Sequence, residues 1–269
     1  MNRNRRVICA LAGLLLAGGA YGQNVVTDWA AIVQPAVNTP PKAPVYQMVL
    51  RAMIQIAVYD AVVAIQGGYE PFAFAIPSAS GADVRAAVAT AAWRTARSRV
   101  DSSQIVYLDA QYASYLAAIP DSQSKQRGVQ VGQAAAAAIL RIRSNDGFDT
   151  AVQYQCSSNP PPPGEFEPDG GCGTQPAAAN AGQIKPFTFA DRPGRGLGGG
   201  HRWLCWTAQF QPDGPTPLTS SAYVEDFLET RDYGRSNSTV RTAEQTDIAY
   251  FWQAVDPHKG HIDWLSAAL

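Results

Sequence analysis

Residues 219–252 read TSSAYVEDFLETRDYGRSNSTVRTAEQTDIAYFW, and this stretch decides the fold class. Ser220 or Ser221 is placed to cap a helix, with Tyr223 and Phe227 one turn apart on one face and Gly234 as an expected left-handed stop. Arg235-Ser236-Asn237-Ser238 is a polar, turn-prone linker. A second helix is expected to begin near Ser238 or Thr239, or at Thr242, where Thr242-Ala-Glu-Gln245 fits a capping box. It runs apolar through Ile248, Phe251 and Trp252, and Pro257 closes it.

Upstream the same helical period recurs. A helix is expected over 45–66, nearly all apolar apart from a narrow stripe of Arg51, Gln55 and Tyr59, which places it centrally in a bundle. Further helices are expected over 83–99, over 101–119 with Ile105, Leu108, Tyr112, Tyr115 and Ile119 as its stripe, and over 121–143 through the alanine block. Between 23 and 44 the pattern is mixed, with Trp29 and Ile32 as docking residues and Pro40-Pro41 as a break. Strand alternation is nearly absent, so the chain reads as all-α: a helical bundle carrying a long Pro/Gly-rich excursion. In that excursion Pro186-Phe187 and Pro217-Leu218 look like anchors onto the bundle. The expected divisions are a leader over 1–22, a bundle portion over 23–147, the irregular segment over 148–218 and the helical pair over 219–269.

With 269 residues, 46% of them hydrophobic and 16% charged, a sizeable core is within reach. A formal net charge of -1, with no basic cluster beyond the leader, argues against nucleic acid. The N-terminus has the form of a secretory signal: Arg3, Arg5 and Arg6, an apolar run over 7–20, then Ala20-Tyr21-Gly22. The expected location is therefore periplasmic or secreted, with no stable membrane span once the leader is gone.

Export gives the cysteines an oxidising compartment. Cys156 and Cys172 bracket the Pro/Gly-rich loop, and a bridge between them would close about 17 residues, worth roughly 3 kcal/mol on the chain-entropy model. Zinc is the rival reading of these cysteines, with irregular spacing against it. Cys205 is then a buried free thiol.

Asp60 falls on the apolar side of its helix, among Val49, Met53, Ile56 and Ala64. A carboxylate there needs a partner. It reads as a structural group receiving an Arg or backbone N–H groups from a neighbouring helix, with Arg241 as the candidate, and the rival reading is a site acid. Gly194-Arg-Gly-Leu-Gly-Gly-Gly-His201 lacks both the preceding strand and the following Lys-Ser of a phosphate loop. His258 and His261 read as an exposed helix end rather than a metal grip. Glu225, Asp226 and Glu229 read as a solvated face. No catalytic, cofactor-binding or metal-ligating residue is expected.

The run Leu218-Thr-Ser-Ser-Ala-Tyr223, then Glu229, Gly234, Ser238 and Arg241 through Trp252, resembles the vanadium-dependent haloperoxidase-like family of the type 2 phosphatidic acid phosphatase superfamily. Arg51 through Ile65, Tyr69-Glu-Pro-Phe72, Ile184-Lys-Pro-Phe187 and Phe210-Gln-Pro-Asp-Gly-Pro215 match in the same order. The resemblance implies an α-helical scaffold and, for complete members, peroxide-driven halide oxidation on vanadate or phosphomonoester hydrolysis. The oxyanion-holding Lys, Arg and His motifs of that family follow the Phe-Trp segment, whereas this sequence ends at Leu269. The expectation is a fragment without a competent vanadate site. The alternative is a non-catalytic secreted helical binding or scaffold protein. Either way an uncovered apolar face would promote self-association.

Overall fold

A computed structural model describes residues 24–73, 79–188 and 216–254. The expected leader, the 194–201 glycine loop, Cys205, His258 and His261 lie outside these residues. Seven α-helices and no strand appear among the described residues. They are α1 (Val25–Asn38), α2 (Pro44–Gln66), α3 (Val84–Arg97), α4 (Ile105–Ala117), α5 (Gln123–Ile142), α6 (Ser221–Gly234) and α7 (Ala243–Ala254). The chain is all-α.

Five of these helices form the bundle, and α3 sits at its centre, packed on α1, α2, α4 and α5. Nine of its fourteen residues are buried, among them Ala86, Ala87, Ala91 and Ala92. Small side chains let neighbouring axes approach. Opposite them α5 offers Gly128 and Gly132, and a Cβ on Gly132 would lie 2.4 Å from Ala87 O and 2.7 Å from Thr90 Cβ. The alanine block of α5 is therefore a contact surface as well as a helix interior. Its other wall is α2, where eleven of 23 residues are buried. That helix is long and apolar enough to cross a membrane by length and composition alone, and it lies against α1, α3 and α5.

The mixed segment before α2 is itself helical. Asn24 Oδ1 accepts from Val26 N at 2.9 Å, and Trp29, Val33, Ala36 and Val37 form a buried stripe despite Pro35 within the helix. Trp29 is 1% exposed and meets the edges of Tyr112 and Tyr115. Side-chain caps set three more starts: Asp83 on α3, Ser122 on α5 and Ser220 on α6.

The α6–α7 pair stands apart energetically. None of its described side chains is buried. The box expected at Thr242 is present, with Thr242 Oγ1 accepting from Gln245 N and Gln245 Oε1 from Thr242 N. Gly234 is the last residue of α6 and does not adopt the left-handed conformation expected of it. The reason is the neighbour: Arg241 reaches back to the carbonyls of Tyr233 and Arg235, satisfying the helix end that a left-handed glycine would otherwise turn away.

Candidate functional site

Asp60 and Arg241 do not meet. Asp60 is 1% exposed, and its two oxygens accept from Phe72 N at 2.6 Å and Ala73 N at 2.9 Å. Its partner is the chain just beyond its own helix, not a neighbouring helix. Gly67 and Gly68, with φ of 68° and 84°, turn the backbone out of α2 and bring Tyr69–Phe72 back along it. Tyr59 Oη adds a bond to Glu70 O at 2.8 Å. Two backbone N–H groups on one carboxylate satisfy both sides, which explains an acid on an apolar face without invoking chemistry.

Arg241 forms an elbow instead. Its Nε donates to Thr246 Oγ1 at 2.9 Å while Nη1 holds the end of α6, so one guanidinium fixes the angle between α6 and α7. Ser238 Oγ donates to Asp232 O and accepts from Arg241 N, closing the linker. Glu225, Asp226 and Glu229 are exposed, as a solvated face requires.

The excursion is fastened by a buried arginine that the sequence reading passed over. Arg143, at the end of α5, is 2% exposed. Its Nε lies 2.7 Å from Asp146 Oδ2, Nη1 donates to Lys185 O at 2.6 Å, and its guanidinium lies 4.0 Å from the centre of the Phe187 ring. Burial pushes this guanidinium below its ordinary pKa, and Asp146 offsets part of that. Lys185 N donates to Asp146 O at 2.6 Å, and Gly147, with φ of 85°, lets the backbone of Gln183 approach where a Cβ would sit 2.0 Å from its carbonyl. Pro186-Phe187 is thus an anchor, as its composition suggested. Leu218 is 42% exposed and lies beside Gly164, within the excursion itself. A signal for Arg143 lies in Asn145-Asp146-Gly147, which sets an acid three residues past it in a turn-prone stop.

Cys156 and Cys172 are joined in a disulfide, with Cα atoms 5.6 Å apart. Between the excursion and the start of α2 lie two adjoining open clefts of about 320 and 310 Å³, which share Tyr46 and Phe148. Tyr46 Oη donates to Asn180 Oδ1, and Asn180 Nδ2 donates to Phe148 O at 2.8 Å. Burial pushes the Tyr46 hydroxyl above its ordinary pKa. Tyr46 and Phe148 meet edge to face at 5.4 Å, so the clefts have an aromatic wall whose polar ends are already satisfied by protein.

An oxyanion such as vanadate needs cations and donors that converge and remain unanswered. Arg143 and Arg99 lie together, with Arg99 Nη2 donating to Arg143 O, yet Asp146 and Asp149 answer their charges. Arg51 donates to Asn38 Oδ1 at 2.6 Å. These described arginines do not fit the group. Among the described residues no cluster of three His, Cys, Asp or Glu side chains could hold a metal ion. No family model, curated protein or solved structure matches the chain.

Proposed function

We propose that this chain is an exported helical scaffold related to the vanadium-dependent haloperoxidase-like family, and that its described portion organises a protein without performing the oxyanion chemistry. The observation that supports this is the work done by the stretches that carry the resemblance. Asp60, in the 51–65 run, holds the backbone of the Tyr69–Phe72 run. Arg143 holds the Ile184–Phe187 run through Lys185 O and the Phe187 ring. Arg241, at the head of the 241–252 run, sets the elbow between two helices. Asp60, Arg143 and Arg241 each hold backbone or a ring in place.

On this reading, peroxide-dependent halide oxidation or phosphomonoester hydrolysis belongs to family members that carry the oxyanion-holding Lys, Arg and His motifs. The purified chain is titrated with vanadate, followed by bromide oxidation with peroxide and by hydrolysis of a phosphomonoester. Neither vanadate-dependent turnover nor phosphatase activity is expected. Turnover that saturates with vanadate would overturn the reading. A second reading, a non-catalytic secreted binding protein, is favoured by the exposed aromatic side chains of α6 and α7.

A further inference from the structure

Residues 148–152 form one wall of the cleft of about 320 Å³, and residues 175–180 form another. Two side-chain carboxamides tie these walls together. At one end Asn180 Nδ2 donates to Phe148 O at 2.8 Å. At the other Tyr154 N donates to Gln175 Oε1 at 2.8 Å, and Gln175 Nε2 donates back to Tyr154 O at 3.1 Å. Gln175 thus answers Tyr154 as a peptide group of a neighbouring strand would.

Val152 lies between the two ties. No turn or bend interrupts residues 151–156, and exposure alternates along them, so the strip is extended. In an extended strip the backbone groups of residues two apart point the same way. Val152 N–H and C=O are therefore turned to the side on which Gln175 answers Tyr154. Among the described residues neither group has a hydrogen-bond partner. Ala178, in the other wall, is held at φ 62°, a left-handed conformation that a non-glycine residue keeps only where its surroundings enforce it.

We propose that this cleft takes an extended peptide segment of another protein, which pairs with Val152 through one N–H and one C=O and lays an apolar side chain on the Tyr46–Phe148 wall. Three features select that chemistry. A peptide backbone offers the donor and acceptor that Val152 leaves unanswered, side by side as in the Gln175 carboxamide. The rings of Tyr46 and Phe148, shared with the adjoining cleft of about 310 Å³, give the side chain an aromatic surface. The Cys156–Cys172 bridge and Gln175 hold the strip in place before a ligand arrives, which lowers the entropy lost on binding. None of these residues belongs to the stretches that carry the family resemblance, so failure here leaves the scaffold reading standing.

The full chain is titrated with the capped peptide acetyl-Ser-Val-Leu-Val-Ser-amide, and amide hydrogen exchange is followed by NMR. Without peptide, the Val152 amide is expected to exchange as an open group while that of Tyr154 is protected. Saturating peptide should slow exchange at Val152 and leave the bundle helices unchanged. The same peptide N-methylated at every residue keeps its side chains but loses its donors, and should bind at least about tenfold more weakly. Val152→Pro removes the donor from the protein side and should abolish binding while the melting of the bundle matches the parent. Absence of a saturable effect up to about 1 mM peptide would overturn the proposal. So would equal affinity for the two peptides, binding that leaves Val152 exchange unaltered or survives Val152→Pro, or a Val152 amide already protected without peptide, which would assign the cleft to another segment of this chain.

Discussion

The bundle and the α6–α7 elbow are both helical and both capped by side chains, yet they are held by opposite means. In the bundle, helices approach through Ala and Gly, and 0% exposure at Ala87, Ala91 and Ala135 leaves no room for added volume. In the elbow the large residues are outside, and the order comes from hydrogen bonds at the helix ends: Ser220, the Thr242–Gln245 box and Arg241. Caps and one arginine fix a local geometry. They do not supply the apolar burial that makes a fold cooperative.

The largest break in this contrast is Arg143→Ala. It strands Asp146 and frees the Ile184–Phe187 strap, and a loss of about 4 kcal/mol is expected, since removing one partner of a buried pair leaves an uncompensated charge. Denaturant unfolding measures it, and limited proteolysis should show the excursion cut first. Gly132→Ala comes next. Its methyl meets Ala87 O, and forcing α5 away from α3 should lower stability by about 3 kcal/mol in the same measurement.

Asp60→Asn and Arg241→Gln are expected to add within about 0.5 kcal/mol, because they share no partner. A coupling clearly above that would reinstate a contact between the two resemblance-bearing segments. Asp109 tests the bundle surface. Its hydrogen bonds from Arg97, then from Trp93, hold its carboxyl below the ordinary aspartate pKa. Its contribution is complete above the unfolded-state pKa and disappears as pH falls through the depressed folded value. Asp109→Asn should therefore cost up to about 1 kcal/mol at neutral pH and nothing in strong acid, as a pH series of melts would show. Smallest of all is Tyr250→Ser. This residue lies on α7 at 65% exposure, so the bundle's stability should change by less than about 0.5 kcal/mol.

Helix existence was legible wherever the apolar period ran unbroken. The expected helices over 45–66, 83–99, 101–119 and 121–143 correspond to α2, α3, α4 and α5, with ends shifted by a residue or a few. α1 was missed because Pro35 and the nearby Pro40-Pro41 masked a stripe of Trp29, Val33 and Val37. The Asp60–Arg241 pairing failed because periodicity places a residue on a face but does not say what covers that face. The return of Tyr69–Phe72 along α2 depends on two glycines at positive φ, and it supplied the N–H groups first. Arg143 went unremarked since a charged residue at a helix end is ordinarily solvated. Only the docking of residues 183–187 buries it.

By itself, then, the sequence determined the helical class, narrowed the two starts to Ser220 or Ser221 and to Ser238, Thr239 or Thr242, and marked residues 156 and 172 as available for a bridge. These depend on local hydrogen bonding, on a 3.6-residue period or on loop length. The tertiary structure decided which buried polar group meets which backbone, how closely α3 and α5 approach, and that Phe251 and Trp252 face outward. Those outcomes are set by which surfaces meet across distant parts of the chain. For residues 219–252 that difference is decisive: its helices were written locally, and its burial depends on what comes to cover it.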